Sequence, residues 1–372
     1  MRSGSASQRR EGICSQTLRI LIAGGGTGGH LYPGIALAHE FARLRPGVEI
    51  LFVGTARGLE ARVVPREGFA LATVRVRGIV GRGMVRATAA LARLPFALAE
   101  AWTIVRRFRP DLIVGVGGYA AGPAVVAGRL LRRTIVLLEQ NVVPGVTNRW
   151  LSPLADLIVA SFDESRAALR GRVEVLGNPV RRSVVERGRA PLPKDAGLLV
   201  FGGSQGAATI NRAMVGALPE LKVLPGLHIV HQTGAADHAR TREAYAAAGV
   251  AATVEPYLDD MGSAYAAAAL VVARAGATSV AEITACGRPA ILIPYPHAAH
   301  GHQERNARVL VAAGAAEMIL DRDLGGGRLG GAIVALLSDR ARLETMADAS
   351  RRAGRPDAGE RIAARCLGLA ER

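Results

Sequence analysis

Three kinds of residue in this 372-residue sequence suit catalysis or phosphate binding: a histidine beside a glycine-rich turn, a carboxylate that ends an apolar run, and the glycine turns themselves. The turn GGGTGGH occupies positions 24–30 and ends in His30. Histidine is the commonest general base near neutral pH, although it also serves as a polar residue that closes a turn. Glu139 opens the triplet EQN, which either caps a loop or contacts a substrate. His30 is therefore a candidate general base, and the triplet that Glu139 opens is a candidate substrate contact.

A second glycine turn, GGSQGA at 202–207, repeats the first about 180 residues later. Each turn follows an apolar run and precedes a helix-like stretch, where free backbone N–H groups favour a phosphate or another anion. The first turn formally satisfies GxGxxG, but Gly54 and Thr55 follow the next apolar run in place of the acid that holds a ribose. A nicotinamide enzyme is therefore disfavoured. Neither turn has the GK[ST] of a P-loop NTPase.

Other polar residues suit a nucleotide sugar. Arg181 is either surface charge or a cation for a diphosphate. The sequence RAGATSVAE at 274–282 opens a helix with small residues and hydroxyls. Its Glu282 is either part of a capping arrangement or an acceptor for both hydroxyls of a ribose. Gln303 and Asn306 suit recognition of sugar hydroxyls.

Patterns for metal binding are weak. His297, His300 and His302 lack HExxH spacing, and Glu304 is the one acid beside them. The motif DRD at 321–323 fits the DxD pattern with which many sugar transferases hold a metal ion. Its position after a strand and before three glycines is more typical of a solvated turn. The three cysteines are far apart and favour a reducing compartment. We expect no metal and no cofactor.

The elements that position these residues follow an α/β pattern, in which short apolar runs alternate with longer amphipathic stretches. Strands are predicted at 18–23, 50–53, 71–76, 112–116, 134–138 and 157–160, and again at 198–201, 228–231, 253–255, 270–273, 290–294 and 318–320. The predicted fold is two Rossmann-like doubly wound domains facing a cleft. The predicted divisions are a flexible extension (1–17), an N-terminal domain (18–179), a linker (180–195), a C-terminal domain (196–345) and a C-terminal helix (346–372) that can cross back.

The net charge of +16 is concentrated in the first half of the chain. Residues 1–190 hold 28 arginines and 13 acids, whereas residues 191–372 are nearly neutral. Few aromatic residues are available as stacking platforms, so a nucleic-acid partner is disfavoured. Arginines and apolar residues alternate over 76–110, which indicates contact with an anionic membrane surface. Ile79, Val80, Met84 and Val85 are the predicted lipid contacts, while 91–102 is either such a contact or an ordinary core helix.

Seven motifs occur in the order of one known family. They are GGTGGH at 25–30, GGY at 117–119, EQN at 139–141, GNPVR at 177–181, GGSQGA at 202–207, HQTG at 231–234 and RAGATSVAE at 274–282. From about residue 18 onward the chain resembles the MurG family, which is similar in fold to the two-domain B-type glycosyltransferases and acts without a metal. The resemblance implies inverting transfer of N-acetylglucosamine from UDP-N-acetylglucosamine to the muramyl C4 hydroxyl of undecaprenyl-diphospho-muramyl-pentapeptide.

That activity belongs to peptidoglycan synthesis at the cytoplasmic face of the bacterial membrane, and so to cell shape and division. The alternative is another B-type transferase with a different lipid acceptor such as diacylglycerol. The implied donor contacts are Arg181, Gly203, Ser204, Leu258, Ala277, Thr278, Ser279, Val280, Ala281, Glu282 and Gln303. The implied acceptor contacts are Thr27, Gly28, Gly29, His30, Tyr119, Glu139 and Asn141, with Asn211 and Asn306 reaching in from the second domain. His30 is the favoured base and Glu139 its rival. Leu138 stands where the family usually has histidine.

Overall fold

The computed structural model describes residues 17–56, 58–75 and 94–371, which form two parallel sheets. The first sheet has the strand order β3-β2-β1-β4-β5-β6-β7. Its strands are β1 (Arg19–Ala23), β2 (Glu49–Gly54), β3 (Ala70–Thr73), β4 (Leu112–Gly115), β5 (Thr134–Glu139), β6 (Leu157–Ala160) and β7 (Val173–Val175). Its described helices are α1 (Gly28–Leu44), α2 (Glu60–Arg66), α3 (Leu94–Phe108), α4 (Ala121–Leu130) and α5 (Val146–Leu151).

The second sheet has the order β10-β9-β8-β11-β12-β13. Its strands are β8 (Gly197–Phe201), β9 (His228–Gln232), β10 (Ala252–Glu255), β11 (Leu270–Ala273), β12 (Ala290–Leu292) and β13 (Ala316–Met318). The remaining helices are α6 (Arg182–Gly188), α7 (Ala208–Leu221), α8 (His238–Ala248), α9 (Met261–Ala267), α10 (Ala277–Ala285), α11 (His302–Ala312), α12 (Arg328–Leu337), α13 (Arg340–Ala353) and α14 (Ala358–Ala370).

The inner strands of both sheets are buried on both faces, which explains why strands such as β4, β6, β8 and β11 are continuous apolar runs and not alternating ones. In β1, Ile20 and Ile22 join the core on one face, while Leu21 and Ala23 join the core on the other. Helices supply the covering layers, as in a doubly wound fold. The two predicted Rossmann-like domains are therefore confirmed. Every predicted strand overlaps an observed one, whereas the edge strand β7 was missed because it has three residues with Glu174 at its centre.

The segment between the two sheets, predicted as a linker, contains a helix that packs on the second domain. Helix α6 lies within it, and its Val184 is buried in the core of the second domain. The fully buried Arg288 donates hydrogen bonds to the carbonyls of Gly188, Ala190 and Pro191 in this segment and to that of Ala268. These bonds fix the chain after α6 to the second domain, so the two domains are joined through the short stretch before it.

The end of the chain forms two helices where one was expected. Helix α13 packs in the second domain, with Leu343 and Met346 in its core. It ends at Gly354, where a Cβ would lie 2.3 Å from the carbonyl oxygen of Thr284. Helix α14 then packs in the first domain, since Ile362 and Cys366 belong to the same core as α1. The chain thus crosses between the domains a second time.

The predicted membrane segment is described only in part. Ile79, Val80, Met84 and Val85 lie outside the described residues. Helix α3 packs against α4 and buries Ala97, Ala101 and Val105, as an ordinary amphipathic helix does. Its first turn nevertheless leaves Leu94 and Phe96 exposed, Phe96 by 70%. Among the described helices, none has the length and apolar character needed to span a bilayer.

Candidate active site

The carboxyl ends of both sheets face each other, and polar side chains join the two domains across this cleft. Pro33 within α1 has no N–H to donate to the carbonyl of Gly29, and Thr278 of the second domain donates to that carbonyl instead, at 3.3 Å. The hydroxyls of Tyr32 and Tyr257 are 2.8 Å apart. The ends of α1, α10 and the chain after β10 therefore meet in one place.

The first glycine turn is held by an internal carboxylate. Glu60, which is buried, accepts hydrogen bonds from the N–H of Gly26 at 2.9 Å and from the N–H and hydroxyl of Thr55 at 2.9 and 2.7 Å. A Cβ at Gly25 would lie 2.6 Å from the Glu60 carboxyl carbon. Burial opposes ionisation, but these hydrogen bonds outweigh it and lower the pKa of Glu60. The turn thus already contains a negative charge.

His30 is partly buried beside the first turn. Its Nδ1 lies 3.3 Å from the Oε1 of Gln140, and a Cβ at Gly117 would lie 2.9 Å from the same nitrogen. Gly117 has φ of 90°, a conformation that favours glycine. Burial lowers the pKa of His30, and the nearby His302 acts in the same direction, although Gln140 and the Val116 carbonyl oppose them. The imidazole is therefore neutral near pH 7 and able to accept a proton.

Both carboxylate oxygens of Glu139, the rival base, accept hydrogen bonds from the loop that follows it. Its Oε1 accepts from the backbone and side-chain amides of Asn141 at 2.9 and 3.5 Å. Its Oε2 accepts from the Gly145 N–H at 3.0 Å and from the Asn148 side chain at 2.8 Å. Burial raises the pKa of Glu139, and these donors oppose the rise. A carboxylate has about four acceptor sites. All four are used here, so Glu139 shapes the loop after β5.

The second glycine turn is open. Ser204 is exposed, and a Cβ at Gly203 would meet nothing within 4 Å. Among the described groups, none accepts a hydrogen bond from the Ser204 N–H, while the N–H of Gly206 bonds to the Gly203 carbonyl within the turn. Helix α7 begins next, without a side-chain cap. The turn and the positive end of the helix together suit the binding of an anion.

Gln232, at the end of β9, fixes the geometry around this turn. Its Nε2 donates to the carbonyl of Gly203 at 2.8 Å, and its Oε1 accepts from the N–H of Leu258 at 2.9 Å. Leu258 is an expected donor contact, and its backbone N–H is already bonded to Gln232. Its backbone can therefore contact the donor only through the carbonyl oxygen.

Helix α10 places a second helix N-terminus at the cleft, again without a side-chain cap. The expected donor residues of this helix share its first turns: Ala277, Thr278, Ser279, Val280, Ala281 and Glu282. Glu282 is buried, and the hydroxyl of Tyr265 donates to its Oε2 at 3.2 Å. Burial raises the pKa of Glu282, while Arg181 and Tyr265 partly offset this. Its Oε1 has no partner among the described groups.

Arg181 is a cation close to Tyr32 of α1 and to Glu282 of α10. Its guanidinium lies 5.1 Å from the centre of the Tyr32 ring, and its Nε is buried without a hydrogen-bond partner. Among the described residues, none forms an ion pair with Arg181, although its charge interacts with that of Glu282. The guanidinium is therefore held in position yet retains free donors for an anion.

Two residues expected to contact the acceptor, Asn211 and Asn306, are already hydrogen-bonded to other groups of the protein. Asn211 is buried in the second domain, where it donates to the Thr233 carbonyl and to Asp237 and pairs with His231. In this structure its side-chain amide is therefore already bonded within its own domain, and its predicted contact with the acceptor stays a prediction. Asn306 is fully buried and accepts from the Val142 N–H at 3.0 Å while donating to the Asn141 side chain at 3.2 Å. It joins the domains in this conformation.

The other expected residues remain accessible. Gln303 accepts from the Tyr295 N–H at 2.9 Å and keeps its own amide hydrogens. Tyr119 is 42% exposed, and its hydroxyl lies 3.2 Å from the position of a Cβ on Gly26. Thr27 and Gly29 are exposed at the start of α1, with Gly28 partly exposed between them. These residues line the first-domain side of the cleft.

The motif at 321–323 has a structural role that the sequence did not indicate. Asp321 forms an ion pair with the buried Arg274 at 2.5 Å and accepts from the Thr209 hydroxyl at 2.8 Å. Arg274 also donates to the carbonyls of Ile293 and Pro294. The expected solvated turn is therefore wrong for Asp321. Within the described ranges, no group of three or more His, Cys, Asp or Glu is arranged to hold a metal ion.

Sequence reasoning missed four residues that support the site: Glu60, Gln140, Gln232 and Tyr265. Glu60 and Tyr265 are distant in sequence from the groups they hold and have no signature of their own. The two glutamines did have a signal, since each is a polar residue at the carboxyl end of a buried strand.

Comparison with known proteins agrees with this geometry. Residues 20–160 match the N-terminal domain of glycosyltransferase family 28, and residues 197–362 match its C-terminal domain. A protein of Anaeromyxobacter sp. (strain Fw109-5) is 47% identical over 359 residues, which are 95% of this chain and 94% of that protein. A protein of Myxococcus xanthus (strain DK1622) is 46% identical over 356 residues, 95% of this chain and 93% of that protein. Both are named UDP-N-acetylglucosamine--N-acetylmuramyl-(pentapeptide) pyrophosphoryl-undecaprenol N-acetylglucosamine transferase.

Two solved structures are similar over almost the whole chain. MurG of Acinetobacter baumannii aligns with a TM-score of 0.76 and 28% identity, covering 94% of this chain and 99% of that chain. The glycotransferase of kitacinnamycin aligns with a TM-score of 0.70 and 18% identity, covering 95% and 100%. The second likeness concerns the fold alone.

Proposed function

The chain belongs to glycosyltransferase family 28, and from that membership we propose that it transfers N-acetylglucosamine from UDP-N-acetylglucosamine to undecaprenyl-diphospho-muramyl-pentapeptide, in peptidoglycan synthesis. The observation that carries the proposal is the open turn at 202–207, which together with the uncapped start of α7 suits an anion. We infer the two substrates from the relatives that are named for this transfer and are 46–47% identical to this chain.

The donor binds to the second domain. Its diphosphate takes the free N–H groups around Gly203 and Ser204 and the guanidinium of Arg181. The start of α10 lies beside the uridine, and Glu282 accepts hydrogen bonds from the ribose hydroxyls. The amide of Gln303 donates to the sugar. Positive groups therefore surround the part of the donor on which negative charge develops as UDP leaves.

The acceptor binds to the first domain, along Thr27, Gly28, Gly29, Tyr119 and the loop that contains Asn141. The muramyl C4 hydroxyl attacks the anomeric carbon of the donor. As the new C–O bond forms, the bond to the diphosphate oxygen breaks, the configuration inverts and UDP departs. His30 takes the hydroxyl proton, because it is neutral near pH 7 and Glu139 has no free acceptor site.

The first domain also binds an anionic membrane surface. Trp150 in α5 is 81% exposed and has Arg149 beside it, and Phe96 is exposed at the start of α3. Both helices follow the carboxyl ends of strands, so both groups lie on the same edge of the sheet as the cleft. Apolar side chains that enter the lipid and arginines near anionic headgroups together hold a peripheral protein.

The transfer is tested with purified full-length chain, radiolabelled UDP-N-acetylglucosamine and lipid-linked acceptors. Label is expected in the lipid fraction with the diphospho-muramyl-pentapeptide acceptor and not with diacylglycerol. Chelation by EDTA is expected to leave the rate unchanged, because Arg181 and the two helix ends supply the positive charge. Label on diacylglycerol would assign the chain to a different acceptor.

Membrane binding is tested by sedimentation with vesicles of phosphatidylglycerol or phosphatidylcholine. Phe96→Ser and Trp150→Ser are each expected to weaken binding to phosphatidylglycerol roughly tenfold, since burying such a side chain contributes about 1.5–3 kcal/mol. Val223→Ser is the matched control, an equally exposed apolar residue of the second domain. Equal losses in all three variants would remove this face of the first domain from the proposal.

A further inference from the structure

We propose that Gln140 is the residue that makes His30 a base, because it fixes the imidazole in the tautomer that carries its proton on Nδ1. The proposal rests on the proposed function, in which His30 accepts the proton of the acceptor hydroxyl. Gln140 lies at the end of β5, directly after Glu139, and is 1% exposed. Its side chain cannot contact a substrate from there, so it acts as a positioning residue.

The orientation of the Gln140 amide follows from its partner on β4. The Nε2 of Gln140 lies 3.0 Å from the carbonyl oxygen of Val116, and a carbonyl oxygen only accepts hydrogen bonds. The NH₂ group must therefore face Val116. This places the amide oxygen toward His30, 3.3 Å from Nδ1. An amide oxygen also only accepts, so Nδ1 must carry the hydrogen.

This tautomer leaves the other ring nitrogen, Nε2, able to accept a proton. With the hydrogen on Nδ1, a neutral imidazole has its lone pair on Nε2. Nδ1 is enclosed by Gln140 and by Gly117, where a Cβ would lie 2.9 Å away. Among the described groups, none forms a hydrogen bond with Nε2. The nitrogen able to accept a proton is thus the one without a partner among the described groups.

Three segments that follow strands of the first sheet contribute to one arrangement: two glycine turns and the loop after β5. Gly117 belongs to the turn after β4 and gives the ring room, Gln140 at the end of β5 orients the ring, and the turn after β1 carries it. The side chain of Leu138, two residues before Gln140, has no polar atom, and Gln140 is the residue of this loop that bonds to His30 in the described structure.

The direct test is the tautomeric state of His30, read from imidazole ¹⁵N shifts in the full chain with labelled histidine. The His30 signals are identified by their loss in His30→Gln. We expect the Nδ1–H tautomer in the unsubstituted protein, and exchange between both tautomers in Gln140→Met. An Nε2–H tautomer in the unsubstituted protein, or an unchanged spectrum in Gln140→Met, would overturn the proposal. This test requires no substrate, so its failure is distinct from failure of the proposed transfer.

Kinetics give a second, independent test. Gln140→Met is expected to lower kcat roughly 10- to 100-fold, since correct positioning is part of the 10²- to 10⁴-fold that a general base supplies. The donor KM should stay within twofold. The loss should vanish in a His30→Gln background, because the two residues act as one unit. Equal losses in both backgrounds would contradict the proposal.

Two further variants separate positioning from folding. Gln140→Glu restores the acceptor and adds a negative charge, which raises the pKa of a histidine. It should retain the Nδ1–H tautomer and move the acid limb of the kcat/KM profile to higher pH, and a limb at unchanged or lower pH would count against the proposal. Thr241→Val replaces a buried hydroxyl without a partner, far from His30 in the chain, and should change neither kcat nor the His30 spectrum.

Discussion

The two glycine turns occupy the same place in their domains but differ in charge. The turn after β1 is filled by the Glu60 carboxylate, which accepts the N–H of Gly26, whereas the turn after β8 leaves Ser204 exposed and its N–H free. A negative group already inside the first turn opposes a phosphate there. We therefore infer different uses for the two turns: the first carries the base beside the attacking hydroxyl, and the second holds the diphosphate of the donor.

The two domains also use a glutamine in parallel ways. Gln140 follows β5 and orients His30, while Gln232 follows β9 and orients Gly203 and Leu258. Each glutamine is buried and bonds through both of its amide atoms. The same residue type at the end of a strand thus prepares a proton acceptor in one domain and an anion site in the other.

The largest expected effect is loss of the base in the first turn. His30→Gln should lower kcat by roughly 10²- to 10⁴-fold, because it removes general-base catalysis. Since burial lowers the pKa of His30 below 6.5, activity of the unsubstituted enzyme should decline on the acid side only below that pH. The variant should lose this limb, as shown by pH profiles of kcat/KM. A decline that persists unchanged would assign the titration to another group.

Next in size is the removal of the cation beside the second turn. Arg181→Met should raise the donor KM about 10- to 100-fold, since hydrogen bonds to charged groups contribute about 1.5–3 kcal/mol. Steady-state rates at varied UDP-N-acetylglucosamine measure this. Arg182→Met, whose guanidinium pairs with Glu186 at the surface, is the matched control and should behave as the unsubstituted enzyme. A donor KM raised equally in both would refute the assignment to Arg181.

Glu60→Gln tests whether the first glycine turn contributes to the stability of the fold without contacting the donor. It should lower the free energy of unfolding by about 1–3 kcal/mol, as a buried charged hydrogen-bond acceptor is lost. The folded state lowers the pKa of Glu60, so its stabilisation is present above about pH 4.5 and is lost as pH falls through the lower folded-state value. Urea unfolding of both proteins at neutral and acid pH should show the difference shrink. A change in UDP affinity would mean that the first turn contacts the donor.

The smallest effect is expected at the ribose. Glu282→Gln should weaken UDP binding about 3- to 10-fold, the equivalent of about one hydrogen bond. The unsubstituted enzyme should bind 2′,3′-dideoxy-UDP more weakly than UDP, and the variant should discriminate less between the two. Calorimetric titration of both ligands measures this. Undiminished discrimination in the variant would show that another group contacts the ribose hydroxyls.

Sequence reasoning was sufficient for the sheets and the turns. Apolar runs predicted strands because buried parallel strands have no polar face, and the glycines predicted turns because positions such as Gly203 and Gly117 have positive φ. It could not tell which turns were open, since the partner of the first turn, Glu60, lies 34 residues away from Gly26 and has no motif. Nor could it tell that Asn211 is bonded within its own domain, because that depends on how β9 and α8 pack.

The division between the turns is tested most directly by placing the same charge in each. Thr27→Asp and Ser204→Asp each add a carboxylate at an exposed position of one turn. Calorimetric titration with UDP should show affinity within about threefold of the unsubstituted protein for Thr27→Asp. For Ser204→Asp it should fall about tenfold or more, because like charges about 4 Å apart repel by about 1–4 kcal/mol. Equal losses in both variants, or a larger loss for Thr27→Asp, would contradict the account.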